Sequence, residues 1–216
     1  MNEISPIIYV IDDEPTVGIA LRRLIQSVGL AVQIFTSAQD FLNAKLQDAP
    51  GCLVLDVRMP EISGLEVQQR LAAAGIYLPV IFLTGHADIE MTVRAMKAGA
   101  IEFLTKPFHE QELLDAIQAA LQQHRMQLKN HAELSALQAR YASLTRRECE
   151  VFAMVTNGLL NKQIAADLGA SEKTIKIHRA HVMHKMNAGS LADLIRMAEK
   201  LQTGSPRSDF SRTKVL

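Results

Sequence analysis

Short apolar runs punctuate the first half of the chain at 7–11, 32–35, 52–55, 80–83 and 101–104. Runs that are apolar on both faces predict parallel strands covered by helices on each side. Between them, apolar positions recur at helical spacing over 17–28, 38–46, 65–74, 89–98 and from Glu110 onward. Asp13 is placed to cap the first of these helices, with Pro15 in its first turn. Gly75 and Gly99 stand after two others as stop signals. Five strands alternating with five helices predict a doubly wound α/β domain of flavodoxin-like type, spanning 1–121. Such sheets carry their sites at the carboxyl ends of the strands.

That rule collects polar residues at one edge. The first run ends at Asp12 and Asp13, the third at Asp56, the fourth at Thr84, and the fifth leads to Lys106. Three carboxylates at one edge repel each other. Either one is protonated or a hard cation sits among them. Oxygen ligands favour Mg²⁺, or Mn²⁺ in its place, completed by water and phosphate oxygens. Lys106 adds a fixed cation and Thr84 a hydroxyl donor for a transferring phosphoryl group. Each residue taken singly has a plainer reading: a helix cap at Asp12–Asp13, a turn at Asp56 or Thr84, a solvated lysine, a core phenylalanine at 103. Their joint occurrence at successive strand ends outweighs those readings. A Mg²⁺-dependent phosphohydrolase is the rival from another class. Against it, the first strand runs out at Asp12-Asp13-Glu14 and lacks the Asp-x-Asp spacing of the aspartyl phosphatases.

The same set, Asp12-Asp13, Asp56, Thr84, Phe103 and Lys106-Pro107, resembles the receiver domain of bacterial two-component response regulators. The resemblance implies that Asp56 accepts a phosphoryl group from a sensor histidine kinase. It implies Mg²⁺ held by Asp12, Asp13, Asp56 and the backbone carbonyl of Arg58. It also implies phosphoryl contact by Lys106, a cis peptide bond before Pro107, and a switch in which Thr84 moves and Phe103 turns inward. Val93, Lys97 and Glu102 are the expected contacts of a symmetric dimer formed on phosphorylation. His86 is a candidate for tuning the water that hydrolyses the acyl phosphate.

Residues 110–141 lack Gly and Pro, and Leu114, Ile117, Leu121 and Leu128, then Leu134, Leu137 and Tyr141, recur at helical spacing. This predicts one long helix whose 122–142 portion is a linker, roughly 45 Å if unbroken. A break in the polar stretch 124–131 is the alternative, and an irregular apolar seam leaves a dimeric coiled coil as a further reading. Thr145 with Glu148 is a capping box. Helices are then expected over 146–156, 161–168, 172–186 and 190–201, with Ser171 and Ser190 as N-caps and Gly158 and Gly169 between elements. Four short helices with a tight turn at Gly169 predict a small helix-turn-helix domain over 143–202. The Ser/Thr/Arg/Lys-rich stretch 203–216 reads as a disordered tail.

At about 100° per residue, one side of the third of these helices holds Ile175, Val182 and Met186, which must pack inward. The opposite side presents Lys173, Ile177, Ala180 and His184, flanked by Lys176, Thr174 and His181. Such a face fits the major groove of double-stranded DNA: lysines reach phosphates or guanine, and Ile177 and Ala180 meet thymine methyls. Arg179 would have to snorkel to a phosphate, and Lys162 and Lys185 are further phosphate candidates. His178, His181 and His184 have no fourth ligand nearby for a metal site. Segments 144–151, 161–169 and 171–186 resemble the LuxR-type helix-turn-helix, and the whole chain resembles the NarL/FixJ family. Leu160 departs from the small polar residue usual before Asn161-Lys162, and Ala180 from a polar base reader.

Charge sharpens this division. The 216 residues carry 23 basic and 23 acidic side chains. The balance is −7 over 1–124 and +7 over 125–216, so the rear module is the one suited to a polyanion. Cys52 and Cys149 are too few for a disulfide framework and fall in apolar patterns, as packing residues do. No apolar run approaches the roughly 18 residues of a membrane span, and no basic stretch precedes the first apolar run as in a secretory signal. The expectation is a cytoplasmic transcription factor, not an enzyme beyond weak self-phosphorylation and dephosphorylation. It would be phosphorylated on Asp56, dimerise, bind promoter DNA and act with RNA polymerase. A constitutive DNA-binding protein with a degenerate receiver is the other rival.

Overall fold

The computed structural model describes residues 5–85 and 88–204. The chain divides into two compact units, 1–128 and 129–216. The first alternates β1 (Ile7–Ile11), α1 (Pro15–Ser27), β2 (Ala31–Phe35), α2 (Ala38–Asn43), β3 (Gly51–Asp56), α3 (Gly64–Ala73), β4 (Val80–Thr84), α4 (Ile89–Lys97) and β5 (Glu102–Thr105). Helix α5 (Glu110–Ala142) begins in this unit and ends in the second. The strands form one sheet in the order β2-β1-β3-β4-β5, parallel throughout as the alternation with helices predicts.

The two-residue period of the strands splits the core in two. Ile7, Tyr9, Ile11, Leu53, Leu55 and Phe82 face α2, α3 and α4 through Phe41, Val67, Leu71 and Ala95. Ile8, Val10, Cys52, Val54, Ile81 and Leu83 face α1 and the start of α5 through Leu21, Ile25, Leu113, Ile117 and Leu121. β1, β3 and β4 are buried on both faces, which is why they read as unbroken apolar runs. Edge strands β2 and β5 are only half covered.

Helix ends follow local chemistry. Ser37, Ser63 and Asp88 cap α2, α3 and α4, each accepting the backbone N–H three residues on. Gly75 and Gly99 take positive φ, 71° and 90°, and end α3 and α4 as expected. The expected cap of α1 is corrected. Glu14, not Asp13, is the N-cap residue, with no side-chain cap bond. The Glu14 N–H instead donates to Asp12 Oδ1 at 2.9 Å, so the first acidic residue is drawn inward and Pro15 starts the helix. α2 stops at Asn43, short of the expected 46, because Ala44 is extended. His124 of α5, buried, accepts the Gly51 N–H at 2.9 Å through Nδ1 and pins the helix to the start of β3.

The second unit contains the end of α5, α6 (Arg146–Thr156), α7 (Asn161–Asp167), α8 (Glu172–Met186) and α9 (Leu191–Gly204). Leu137, Val151, Phe152, Ile164, Ile175, Val182, Met186 and Leu194 build its core, with Tyr141 edge-on to Phe152 at 5.2 Å. Thr145 and Glu148 form the expected capping box. Ser171 and Ser190 accept the N–H groups of Thr174 and Asp193. At Leu160 only half of such a box forms. Its side chain offers no acceptor, and Gln163 Oε1 accepts its N–H at 2.8 Å. α9 runs through Thr203 and Gly204, so those two residues are helical where a disordered tail is expected. The rest of that expected tail, 205–216, and His86 lie outside the described residues. Among the described residues no helix is long and apolar enough to cross a membrane.

Candidate functional site

The carboxyl edge of the sheet gathers the acidic residues. β1 and β3 are neighbours, and the strand order reverses between them, so the loops that leave them open a crevice. Asp12 comes directly after β1 and Asp56 ends β3, only 1% and 7% exposed, beside Asp13, which is exposed. Each of the three offers an oxygen within 4.8 Å of the others, the one acidic or His/Cys group of this kind among the described residues. Gly64, at the start of α3, permits the close approach: a Cβ there would sit 2.4 Å from the Asp56 carbonyl oxygen.

Lys106 lies just past β5 and reaches across. Its Nζ donates to Asp12 Oδ2 at 2.7 Å and to Asp56 Oδ2 at 2.6 Å. The Lys106–Pro107 peptide bond is cis. The Lys106 N–H donates to the Thr84 carbonyl at 2.7 Å, tying the β5 exit to the β4 exit. Asp56 Oδ1 accepts the Arg58 N–H at 2.9 Å. Burial pushes the Asp12 carboxyl above its ordinary range, against hydrogen bonds from Lys106 and Glu14. Burial alone would depress Lys106, but its bonds to the two carboxylates outweigh that and hold the ammonium above its usual value. Three clustered carboxylates, two of them bonded to one ammonium, leave an excess of negative charge. Hard oxygen donors so arranged fit a Mg²⁺-type cation.

Thr84 ends β4, fully buried. Phe103 lies on β5, half-buried, its ring 6.0 Å from Phe82. Val93 and Lys97 of α4 and Glu102 of β5 are exposed, and so are Ile89 and Met96. Those two apolar side chains escaped sequence reading, although α4 buries only Ala95.

In the second unit α8 sorts its residues as the helical angles require. Ile175, Val182 and Met186 are buried. Lys173, Thr174, Lys176, Ala180, His181 and His184 are exposed, Ile177 is 49% exposed, and Lys162 of α7 is exposed as well. Arg179 is half-buried and donates to Asn161 Oδ1 at 3.1 Å. Lys185 is also spoken for, because its Nζ donates to Glu148 Oε2 at 2.6 Å and to the Ser143 carbonyl at 3.2 Å. In the sequence Glu148 is marked only as a cap, and nothing local to it points to Lys185. His178 is half-buried, with Nδ1 inside.

The pattern of the response regulator receiver domain matches residues 8–118, and that of the bacterial regulatory proteins of the luxR family matches 142–198. The response regulator protein TmoT of Ectopseudomonas mendocina is 50% identical over 202 residues, 94% of this chain and 92% of that one. The transcriptional regulatory protein FixJ of Azorhizobium caulinodans is 46% identical over 198 residues, 92% of this chain and 93% of that one. The low-resolution structure of the response regulator StyR is similar at TM-score 0.83 and 47% identity, covering 91% of this chain and 100% of that one. Both family patterns, together with relatives 46% and 50% identical over more than nine-tenths of the chain, make the chain a member of the NarL/FixJ-type response regulators, transcription factors that are controlled by phosphorylation of a receiver and bind DNA through a LuxR-type domain.

Proposed function

We propose that Asp56 is the phosphoacceptor and that a sensor histidine kinase is the donor. A carboxylate oxygen of Asp56 attacks phosphorus, the P–N bond to the donor histidine breaks, and that imidazole leaves. The product is an acyl phosphate, which water later splits to inorganic phosphate and free Asp56. A Mg²⁺ or Mn²⁺ ion held by Asp12, Asp13, Asp56 and the Arg58 carbonyl would neutralise charge on the phosphoryl oxygens. Lys106 supplies a second positive charge to those oxygens. The observation that carries this reading is the Lys106 ammonium at 2.6 Å from Asp56 and 2.7 Å from Asp12. The self-phosphorylation and dephosphorylation chemistry is slow and serves timing, not substrate turnover.

Phosphorylation then acts through Thr84 and Phe103. The Thr84 hydroxyl moves toward the new oxygens and Phe103 turns into the space it leaves. The altered α4–β5 surface, with Val93, Lys97 and Glu102, forms a symmetric dimer. Dimerisation brings two α8 helices to half-sites about one DNA turn apart. Lys162, Lys173, Thr174, Lys176, His181 and His184 meet phosphates or base edges, and Ile177 and Ala180 meet thymine methyls. RNA polymerase is the further partner, and the cytoplasm the compartment. The test is treatment with acetyl phosphate and Mg²⁺. The wild-type chain takes up acid-labile phosphate, dimerises and binds DNA more tightly, and Asp56→Asn does none of these. Equal DNA affinity with and without treatment would overturn the coupling, and steady turnover of a phosphate ester would favour a hydrolase.

A further inference from the structure

One carboxylate of the second unit is buried behind α8, apart from the acidic site of the receiver. Glu148, in the first turn of α6, is 3% exposed. Its Oε2 accepts the Thr145 N–H at 2.8 Å and the Lys185 ammonium at 2.6 Å. Its Oε1 lies 3.6 Å from His181 Nδ1, an ion pair whenever that ring is protonated. Lys185 and His181 both belong to α8. The hydrogen bond from Lys185, together with the weaker one from the Thr145 backbone, outweighs burial and lowers the Glu148 carboxyl to about 2. Glu148 is therefore ionised throughout the range in which DNA is bound.

A lysine strengthens sequence-independent DNA binding by neutralising a phosphate and releasing a counterion. An ammonium already shared between a buried carboxylate and the Ser143 carbonyl is not free to do so. We propose that Glu148 is a positioning residue of the DNA-binding surface: it holds Lys185 inward, removes one of the cations of α8 from phosphate contact, and so limits sequence-independent affinity. This revises the expectation that Lys185 itself touches a phosphate. It rests on the DNA-binding reading of α8 and deepens it.

The test uses the full chain and a fluorescently labelled duplex of arbitrary sequence. Binding is measured by anisotropy between about 50 and 200 mM salt. Lys185→Gln leaves the slope of log affinity against log salt at its wild-type value, whereas Lys176→Gln lowers its magnitude by about 0.9. Glu148→Gln keeps an acceptor for the Thr145 N–H but loses the charge. It steepens the slope by about 0.9, equivalent to about threefold across that salt range. Adding Lys185→Gln to Glu148→Gln restores the wild-type slope. A slope flattened by Lys185→Gln as much as by Lys176→Gln would overturn the proposal, as would a folded Glu148→Gln chain with an unchanged slope. If Glu148→Gln fails to fold, the Lys185→Gln slope decides alone. A wild-type chain without salt-dependent binding overturns the DNA-binding reading, and this inference with it.

Discussion

Asp12 and Asp56 sit almost wholly inside the receiver, tied to one ammonium, whereas Lys173, Lys176, Ile177, Ala180 and His184 stand in solvent along one face of α8. The first arrangement depends on convergence. Its members come from the ends of β1, β3 and β5, and the sheet must form before any of them meet. The second depends on one helix and its orientation. Charge in the receiver is therefore concentrated, desolvated and coupled. Charge on α8 is dispersed, and its members act nearly independently. A single substitution is expected to disable the first and only to weaken the second.

The strongest way to break this comparison is to remove a core residue from one unit only. Phe152→Ala is expected to cost about 3–5 kcal/mol, and to lower the unfolding transition of the second unit alone. Phe82→Ala should do the same to the receiver. Differential scanning calorimetry reads both, and a shift of both transitions by either substitution would deny the units independent cores. Within the receiver, Lys106→Met should reduce the rate of phosphoryl uptake by about a hundredfold, since one positioned charge is lost. The same variant should bind Mg²⁺ more tightly, because a competing cation has left the carboxylates. Radiolabelled acetyl phosphate and metal titration measure the two effects. On α8, Lys173→Gln should weaken binding to all DNA sequences alike, by about one phosphate contact in salt slope.

One buried acid from each unit, Glu148 and Asp12, sharpens the contrast through pH. The Glu148 carboxyl is depressed from 4.5 to about 2, so its contribution to stability is complete above about 4.5 and lost as pH falls through about 2. The Asp12 carboxyl is raised by burial, so its ionisation costs stability at higher pH, and acidification through its folded value relieves that cost. Chemical denaturation of Glu148→Gln should show a flatter acid limb for the second unit. Asp12→Asn should show a gain for the receiver that shrinks on acidification. Acid limbs unchanged by either substitution would contradict these assignments.

The fold was legible in the sequence wherever one residue period dominated. β1, β3 and β4 are buried on both faces and read as continuous apolar runs, and α8 sorted its inward and outward residues by angle alone. The acidic set was legible because strand ends are marked by a change from apolar to polar residues. Pairings between distant side chains were not. Gly51 with His124 and Glu148 with Lys185 join residues 73 and 37 positions apart, and no local pattern links them. A carboxylate before Pro15 suits a cap, which is why the sequence points to Asp13. The competing demand of the Glu14 N–H for Asp12 becomes visible only once β1 ends there. Ile89 and Met96 passed unnoticed because an apolar residue on an amphipathic helix is expected to face inward.

The central claim is that Asp56 carries the phosphoryl group beside Lys106. Borohydride reduction of the acyl phosphate, then peptide mass spectrometry, locates the modified carboxyl directly. After treatment with acetyl phosphate and Mg²⁺, the account predicts reduction at position 56 and nowhere else, and its disappearance when Mg²⁺ is chelated. Reduction at Asp12 or Asp13 instead, or labelling of the Asp56→Asn chain at the wild-type level, would contradict it.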